Sequence, residues 1–173
     1  MHRFLFCIAQ EGLQLWTPSY VRRRRPAIAA HLSSLGLTGV TLDQAVDRVE
    51  EGVLRVLSDP RGRWLLSPHS QEKGAEAHSE FSLTAIIESK FVRVVMDRVF
   101  VDERGWRWIV DFKTSLHTGS DLASFMDNEQ LRYQEQMARY GQLMQLWDPE
   151  RPIHLGLYFP MFSGWREWEM IKA

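Results

Sequence analysis

Cysteine is almost missing from this chain. Of 173 residues only Cys7 is a cysteine. No disulfide can form within the chain, which fits a reducing, cytoplasmic setting. Cys7 lies in the apolar run Phe4-Leu5-Phe6-Cys7-Ile8-Ala9, where a buried, inert thiol is the expectation. That run is too short for a signal peptide, and Gln10-Glu11 follow at once. No stretch has the length of a membrane span. Charge of one sign is also lacking: 21 Lys and Arg oppose 22 Asp and Glu, for a net charge of −1. Any attraction to nucleic acid must therefore come from local patches. The phosphate-binding pattern G-x-x-x-x-G-K-[ST] and the dinucleotide pattern G-x-G-x-x-G are absent, which argues against an ATP motor and a common dinucleotide site. No CxxC, HExxH or EF-hand loop points to structural zinc or to calcium.

What is present is an ordinary globular composition, 45% hydrophobic and 25% charged, in a length that suits one domain with a real core. Seven tryptophans suggest a core or groove built on large aromatics. The first sixty residues read as helical. A short apolar helix over 2–16 is broken by Pro18, and another helix starts near Pro26. Thr41 and Gln44 form a T-x-x-Q capping box ahead of Leu42, Val46, Val49, Val53 and Leu57 at helical spacing. Asp59-Pro60 ends that helix, and Trp64-Leu65-Leu66 is an apolar anchor. Residues 67–79 read as loop. Strands are expected over 80–87, 91–101 and 106–114. A second loop spans 115–127, and a helix follows over 128–147 with Tyr133, Met137, Tyr140, Met144 and Trp147 as a buried stripe. Final strands are expected over 153–160 and 165–171. Helices, strands, helix and strands in that order predict an α/β sandwich.

The chemistry concentrates in Asp97 and in Asp111-Phe112-Lys113. A three-residue loop Glu103-Arg104-Gly105, with Gly105 left-handed, is a common way to close a hairpin. That register pairs Asp102 with Trp106 and so Asp97 with Asp111, on one face and about 4.5–5.5 Å apart at Cβ. Lys113 points the same way as Asp111. Two like charges in that position destabilise a sheet. A hard divalent cation reverses the sign, because carboxylate oxygens suit Mg²⁺ and Mn²⁺. A lysine beside the metal positions water or stabilises phosphoryl charge. The bland alternative is a surface hairpin with an Asp–Lys ion pair, since isolated D-x-K is common.

The flanking motifs add to this. Met96-Asp97-Arg98-Val99, Ile109-Val110-Asp111-Phe112-Lys113-Thr114 and Tyr133-Gln134-Glu135-Gln136-Met137-Ala138-Arg139-Tyr140 together resemble the RecB/AddA-type nuclease domain of bacterial helicase–nucleases, within the PD-(D/E)XK superfamily. That family has an early His, a Glu, an I-D-R-V-type Asp, a D-Y-K-T-type segment and a Q-x-x-x-Y helix. His2, Glu80, Asp97, Asp111 with Lys113, and Gln136 with Tyr140 match in order. Leu157-Tyr158-Phe159-Pro160 resembles the strand after that helix. Met96 stands where the superfamily has a nominal Pro, and Phe112 where Tyr is usual. The family also has Gly before the early His, whereas this sequence begins Met1-His2, so an excised fragment or truncated frame of a larger helicase–nuclease is expected.

The resemblance implies a restriction-endonuclease-like α/β core with a central mixed β-sheet flanked by helices, as one domain with a helical segment over 1–66 and a catalytic core over 80–173. It implies a Mg²⁺- or Mn²⁺-dependent deoxyribonuclease. The metal ligands implied are Asp97, Asp111, His2 and Glu80, and the catalytic set is Asp97, Asp111, Lys113, Glu80, Gln136 and Tyr140. Gln136 and Tyr140 lie one helical turn apart and are implied to shape the site and touch the DNA backbone. Structural alternatives stand beside these roles: a strand-end carboxylate for Glu80, a frayed terminal imidazole for His2, a core position for Tyr140. The expected partners are DNA, as single strands or duplex ends, and a UvrD-like helicase motor upstream or on a partner subunit. The expected process is double-strand-break end processing and recombinational repair, in the cytoplasm. The alternative is an inactive DNA-binding or scaffold module; a stand-alone structure-specific endonuclease is a third reading. Arg22-Arg23-Arg24-Arg25 either tracks phosphates or forms a solvated or partner-contacting face. His31, His69, His78, His117 and His154 show no ligand spacing and read as surface or loop residues.

Overall fold

A computed structural model of the protein describes residues 1–69, 76–87, 90–117 and 119–170. Parts of both expected loops, at 70–75 and 118, and the expected end of the last strand at Ile171 lie outside the described residues. The chain divides into two compact units. One is Met1–Ser67 with Pro160–Ser163, and the other is Pro68–Phe159 with Gly164–Ala173.

The first unit is helical: α1 (His2–Glu11), α2 (Pro18–Arg23), α3 (Arg25–Ser34), α4 (Gly39–Ser58) and α5 (Pro60–Leu66). Two of these helices start at prolines that the sequence pattern marks only as stops. Thr17 accepts the Tyr20 N–H and puts Pro18 in the first turn of α2, where a missing N–H costs nothing. Asp59 does the same for α5, accepting from the Arg61 and Gly62 amides. The capping box at Thr41 does not form. Helix α4 has already begun at Gly39 with Thr38 as its N-cap, which leaves Thr41 inside the helix. The apolar spacing behind it holds, and Val46, Val49, Val53 and Leu57 are buried. Cys7 is half-buried rather than buried.

The arginine run is largely engaged within this unit. Arg25 pairs with Asp47 and, at 2.9 Å, with Glu50, both on α4; these bonds raise its pKa further. Arg24 lies over the Trp16 and Tyr20 rings and 3.8 Å from Glu11. Arg23 lies over Tyr20.

The second unit is a five-stranded mixed sheet with a long helix on it. Its strands are β1 (His78–Ile87), β2 (Lys90–Val101), β3 (Arg107–Phe112), β4 (Ile153–Phe159) and β5 (Gly164–Glu169), in spatial order 1-2-3-4-5. All neighbours are antiparallel except β3 and β4, which are parallel. A parallel pair needs a long crossover, supplied by α6 (Leu122–Trp147). The expected α/β class with an N-terminal helical segment is what the structure has. Helix α6 starts a turn and a half earlier than the periodicity predicts. Asp121 caps it by accepting the Ser124 N–H at 3.0 Å. Within the stripe Met137, Tyr140 and Met144 are buried, but Trp147 is 45% exposed.

Large side chains fill both faces of β3, and all six of its residues are buried. One of them is Arg107, fully buried. Its Nε and Nη2 donate to Asp148 Oδ2 at 2.9 and 2.7 Å, just past the end of α6. Its guanidinium lies over the Trp147 ring. The pair thereby ties the end of the crossover helix to the sheet. Of the histidines expected at surfaces or in loops, His69 and His117 do lie in loops, whereas His31 and His154 sit in regular elements; all four are half-buried, and they also pack as rings. His154 in β4 stacks on Trp106 at 4.2 Å, His69 on Phe100 at 3.8 Å, and His31 in α3 meets Phe4 edge-on.

Candidate functional site

The hairpin between β2 and β3 closes as its sequence predicts. Gly105 has φ +80°, a region other residues enter only with strain. Asp102 N–H donates to the Trp106 carbonyl at 3.0 Å. The Asp102 carboxylate accepts from the Arg104 and Trp106 amides and from the Trp108 indole. The ladder then runs Val101↔Arg107, Phe100↔Trp108, Val99↔Ile109, Arg98↔Val110. One more step in this register would set Asp97 against Asp111, but the ladder ends at Arg98. Antiparallel bonds alternate, so Phe112 N–H is the next amide due to meet a β2 carbonyl. It donates instead to Asp97 Oδ2, at 2.8 Å. The acid side chain thus takes over the hydrogen bond at the point where the strands part.

Beyond the fork β3 stays with β4, and Lys113 N–H donates to the Tyr158 carbonyl at 2.8 Å. Asp111 is 6% exposed. Lys113 Nζ lies 2.7 Å from Asp111 Oδ2 and 3.4 Å from the centre of the Tyr133 ring. Asp111 and Lys113, two apart on one strand, therefore pair with each other over an aromatic floor supplied by α6.

Helix α6 brings the remaining polar groups. Gln136 Nε2 donates to Tyr140 Oη at 2.6 Å, so the phenol's own proton remains available to an acceptor. Burial raises the Tyr140 pKa above its ordinary value; the Gln136 bond opposes this, and the negative charges of Asp111 and Asp97 reinforce it. The phenol stays protonated at neutral pH and lies within the field of both acids. Alongside, Glu129 is 6% exposed and accepts from Ser115 at 2.9 Å and Arg132 at 3.2 Å, pinning the segment that follows Lys113.

Five of the residues singled out from sequence thus come together: Asp97, Asp111, Lys113, Gln136 and Tyr140. Glu80 falls on β1 at the position across from Asp97. The β1–β2 register runs Ser79↔Arg98 and Phe81↔Met96 and skips the pair Glu80 and Asp97. Glu80 is exposed, with φ +53°. Among the described residues no three His, Cys, Asp or Glu side chains converge as a metal-holding group. His2 is exposed and opens α1 in the helical unit. Sequence reasoning missed Tyr133 as the ring under Lys113, and Glu129 altogether. The apolar stripe accounts for Tyr133 without any such role, and a buried glutamate on a helix leaves no signal in periodicity.

Beside this cluster lies an open groove of about 570 Å³, lined by β2 residues Arg93, Val94 and Val95 and by α6 residues that include Arg132, Tyr133, Gln136, Arg139 and Tyr140.

No protein-family model matches the chain, and no curated protein matches it. Among solved structures it is similar to the crystal structure of SSO0001, with 15% identity and a TM-score of 0.36 over 87% of this chain. The chain spans 63% of that protein's length. Among the described residues no helix is long and apolar enough to cross a membrane.

Proposed function

We propose that the protein is a metal-dependent nuclease of the RecB/AddA type, cleaving phosphodiester bonds in DNA. The observation that carries this reading is the assembly of Asp97, Asp111 and Lys113 where β2 and β3 separate, with the Gln136–Tyr140 pair facing them. Asp97 and Asp111 would hold Mg²⁺ or Mn²⁺. The donor set fits such an ion, which prefers oxygen and is often held by one or two carboxylates with water completing its shell. The bound metal would supply Lewis acidity and a water of lowered pKa.

The chain's own groups have definite tasks in this reading. Phe112 N–H fixes the Asp97 carboxylate. Lys113 neutralises Asp111 when no metal is there, and in the reaction its ammonium faces charge that develops on phosphoryl oxygens. Tyr140 keeps its proton and can donate it in a hydrogen bond to a phosphate oxygen. The family reading extends to a helicase partner, DNA ends as substrate and recombinational repair as the setting.

A second reading is a nucleic-acid-binding module without catalysis. It is favoured by the closed Lys113–Asp111 pair. Incubation with labelled single-stranded DNA and Mn²⁺ or Mg²⁺, beside an EDTA control and Lys113→Ala, separates the two. Metal-dependent cleavage that the variant loses supports the nuclease. Binding without cleavage under every metal condition supports the module.

A further inference from the structure

The β1–β2 pair extends beyond the rest of its sheet. Strand β2 pairs with β3 only from Arg98 onward, yet it pairs with β1 from Lys90. Residues 90–96 of β2 and their partners in β1 therefore form a two-stranded ribbon. One face of that ribbon is exposed at every alternate position: Ser82, Thr84 and Ile86 on β1, and Phe91, Arg93 and Val95 on β2. The register sets Ile86 opposite Phe91 and Thr84 opposite Arg93. Phe91 is 83% exposed and Ile86 64%, a large aromatic and an aliphatic side by side in water. Two residues beyond Val95 the strand reaches Asp97.

The groove next to this ribbon is cationic in a chain of net charge −1. Arg93, Arg132 and Arg139 line it, against a single acid, Glu135. Arg132 pairs with Glu129 but keeps 67% of its side chain exposed. Arg139 is exposed and makes no ion pair among the described residues. Spaced guanidinium groups beside an exposed aromatic match a strand with phosphates on one side and unpaired bases on the other. The interior of a duplex offers no base face to Phe91, and an apolar docking partner would leave the arginines without counter-charges.

We infer that the groove and the ribbon face hold one single nucleic-acid strand, with Arg93, Arg132 and Arg139 on its phosphates and Phe91 stacked under a base. This rests on the nuclease reading for its purpose, but strand binding is measurable without cleavage. The probe is a labelled oligothymidylate or oligouridylate of about twelve nucleotides, a length within the range bound by single-strand sites. Anisotropy is followed in EDTA over a range of salt. Arg93→Ala with Arg139→Ala should weaken binding and reduce the log–log salt slope by about 1.4, near 0.7 for each phosphate no longer neutralised. Phe91→Ala should weaken binding about tenfold while leaving the slope unchanged. The DNA and RNA arms show whether the sugar is read.

These side chains are exposed, so a wild-type urea midpoint serves as the folding control. Wild-type affinity and slope in both variants overturn the inference, as does failure of the unaltered protein to bind either strand. Preferential binding of duplex overturns the single-strand occupant. Binding abolished in the variants, with no cleavage by the unaltered protein under Mn²⁺, upholds the groove and sinks the nuclease reading alone. Cleavage that both variants retain in full sinks the groove alone.

Discussion

Lys113→Met probes the centre of the site, because methionine keeps most of the apolar stem and removes the charge. In the folded protein the ammonium is 2.7 Å from Asp111 Oδ2, with the two side chains 12% and 8% exposed. It also lies 3.4 Å from the Tyr133 ring centre. A hydrogen bond to a charged group contributes about 1.5–3 kcal/mol, and a desolvated cation–π contact up to about 2 kcal/mol. Stripping one member from a fully buried ion pair costs about 3–5 kcal/mol. This pair keeps some water, and methionine restores packing, so the variant should be about 2–3 kcal/mol less stable in EDTA. Urea unfolding measures it, with an unchanged m-value as the check that only stability moved. Mn²⁺ then discriminates further. Ammonium and metal compete for the same carboxylate oxygens, so the variant should gain at least as much from Mn²⁺ as the unaltered protein. That gain is about 2.7 kcal/mol at a hundred times the dissociation constant. An unchanged midpoint in EDTA would refute the claim that the pair stabilises the fold. Absence of any Mn²⁺ effect in both proteins would refute the metal assignment itself.

Asp148→Asn leaves the fully buried Arg107 without its anion and should cost about 3–5 kcal/mol in urea unfolding; Arg151→Ala, a third exposed beside the same acid, should cost under about 1 kcal/mol. Tyr140 has a raised pKa in the fold, so the folded state holds its proton after the unfolded chain has released it. The stabilisation is complete below the unfolded pKa of 10.0 and disappears as pH rises through the folded value. Tyr140→Phe should therefore flatten the alkaline decline of the urea midpoint. In Gly156→Ala the new Cβ would overlap the Trp165 indole; overpacking of this kind should cost about 1–3 kcal/mol and alter the near-UV circular dichroism.

Much of the second unit is legible in the sequence because its signals are local. The turn Asp102-Glu103-Arg104-Gly105 dictates the hairpin and its register, and the period of α6 marks its buried side. The start of α6 escapes the periodicity because Asp121 and Ser124 cap it ahead of the apolar stripe. Pro18 and Asp59-Pro60 are both stop and start signals, and the sequence pattern alone favours the stop. The T-x-x-Q pattern at Thr41 meets every local rule, yet α4 has already begun upstream at Gly39. Where the strands part is not legible at all. Nothing in Val95-Met96-Asp97-Arg98 announces that pairing with β3 ends there, because that depends on which strand β2 follows in three dimensions. The left-handed backbone at Glu80 is likewise invisible in a residue type that rarely adopts it.

That fork gives Asp97 two separable tasks. Its carboxylate accepts the Phe112 amide that the ladder leaves over, and it supplies charge beside Asp111. An unmet buried amide costs about 1–3 kcal/mol, so Asp97→Ala should destabilise the protein by roughly that amount. Asp97→Asn keeps an oxygen in place for the same amide and removes only the charge. In EDTA it should therefore match or exceed the unaltered protein, because repulsion with Asp111 is relieved. Under Mn²⁺ the order should reverse, since a neutral amide is the weaker ligand for a hard cation. Urea unfolding of both variants with and without Mn²⁺ reads the two tasks independently. If the asparagine variant falls as far as the alanine variant in EDTA, the bond to Phe112 requires the charge. If it then gains from Mn²⁺ as much as the unaltered protein, Asp97 holds no metal, and the fork is a structural device rather than the seat of the chemistry.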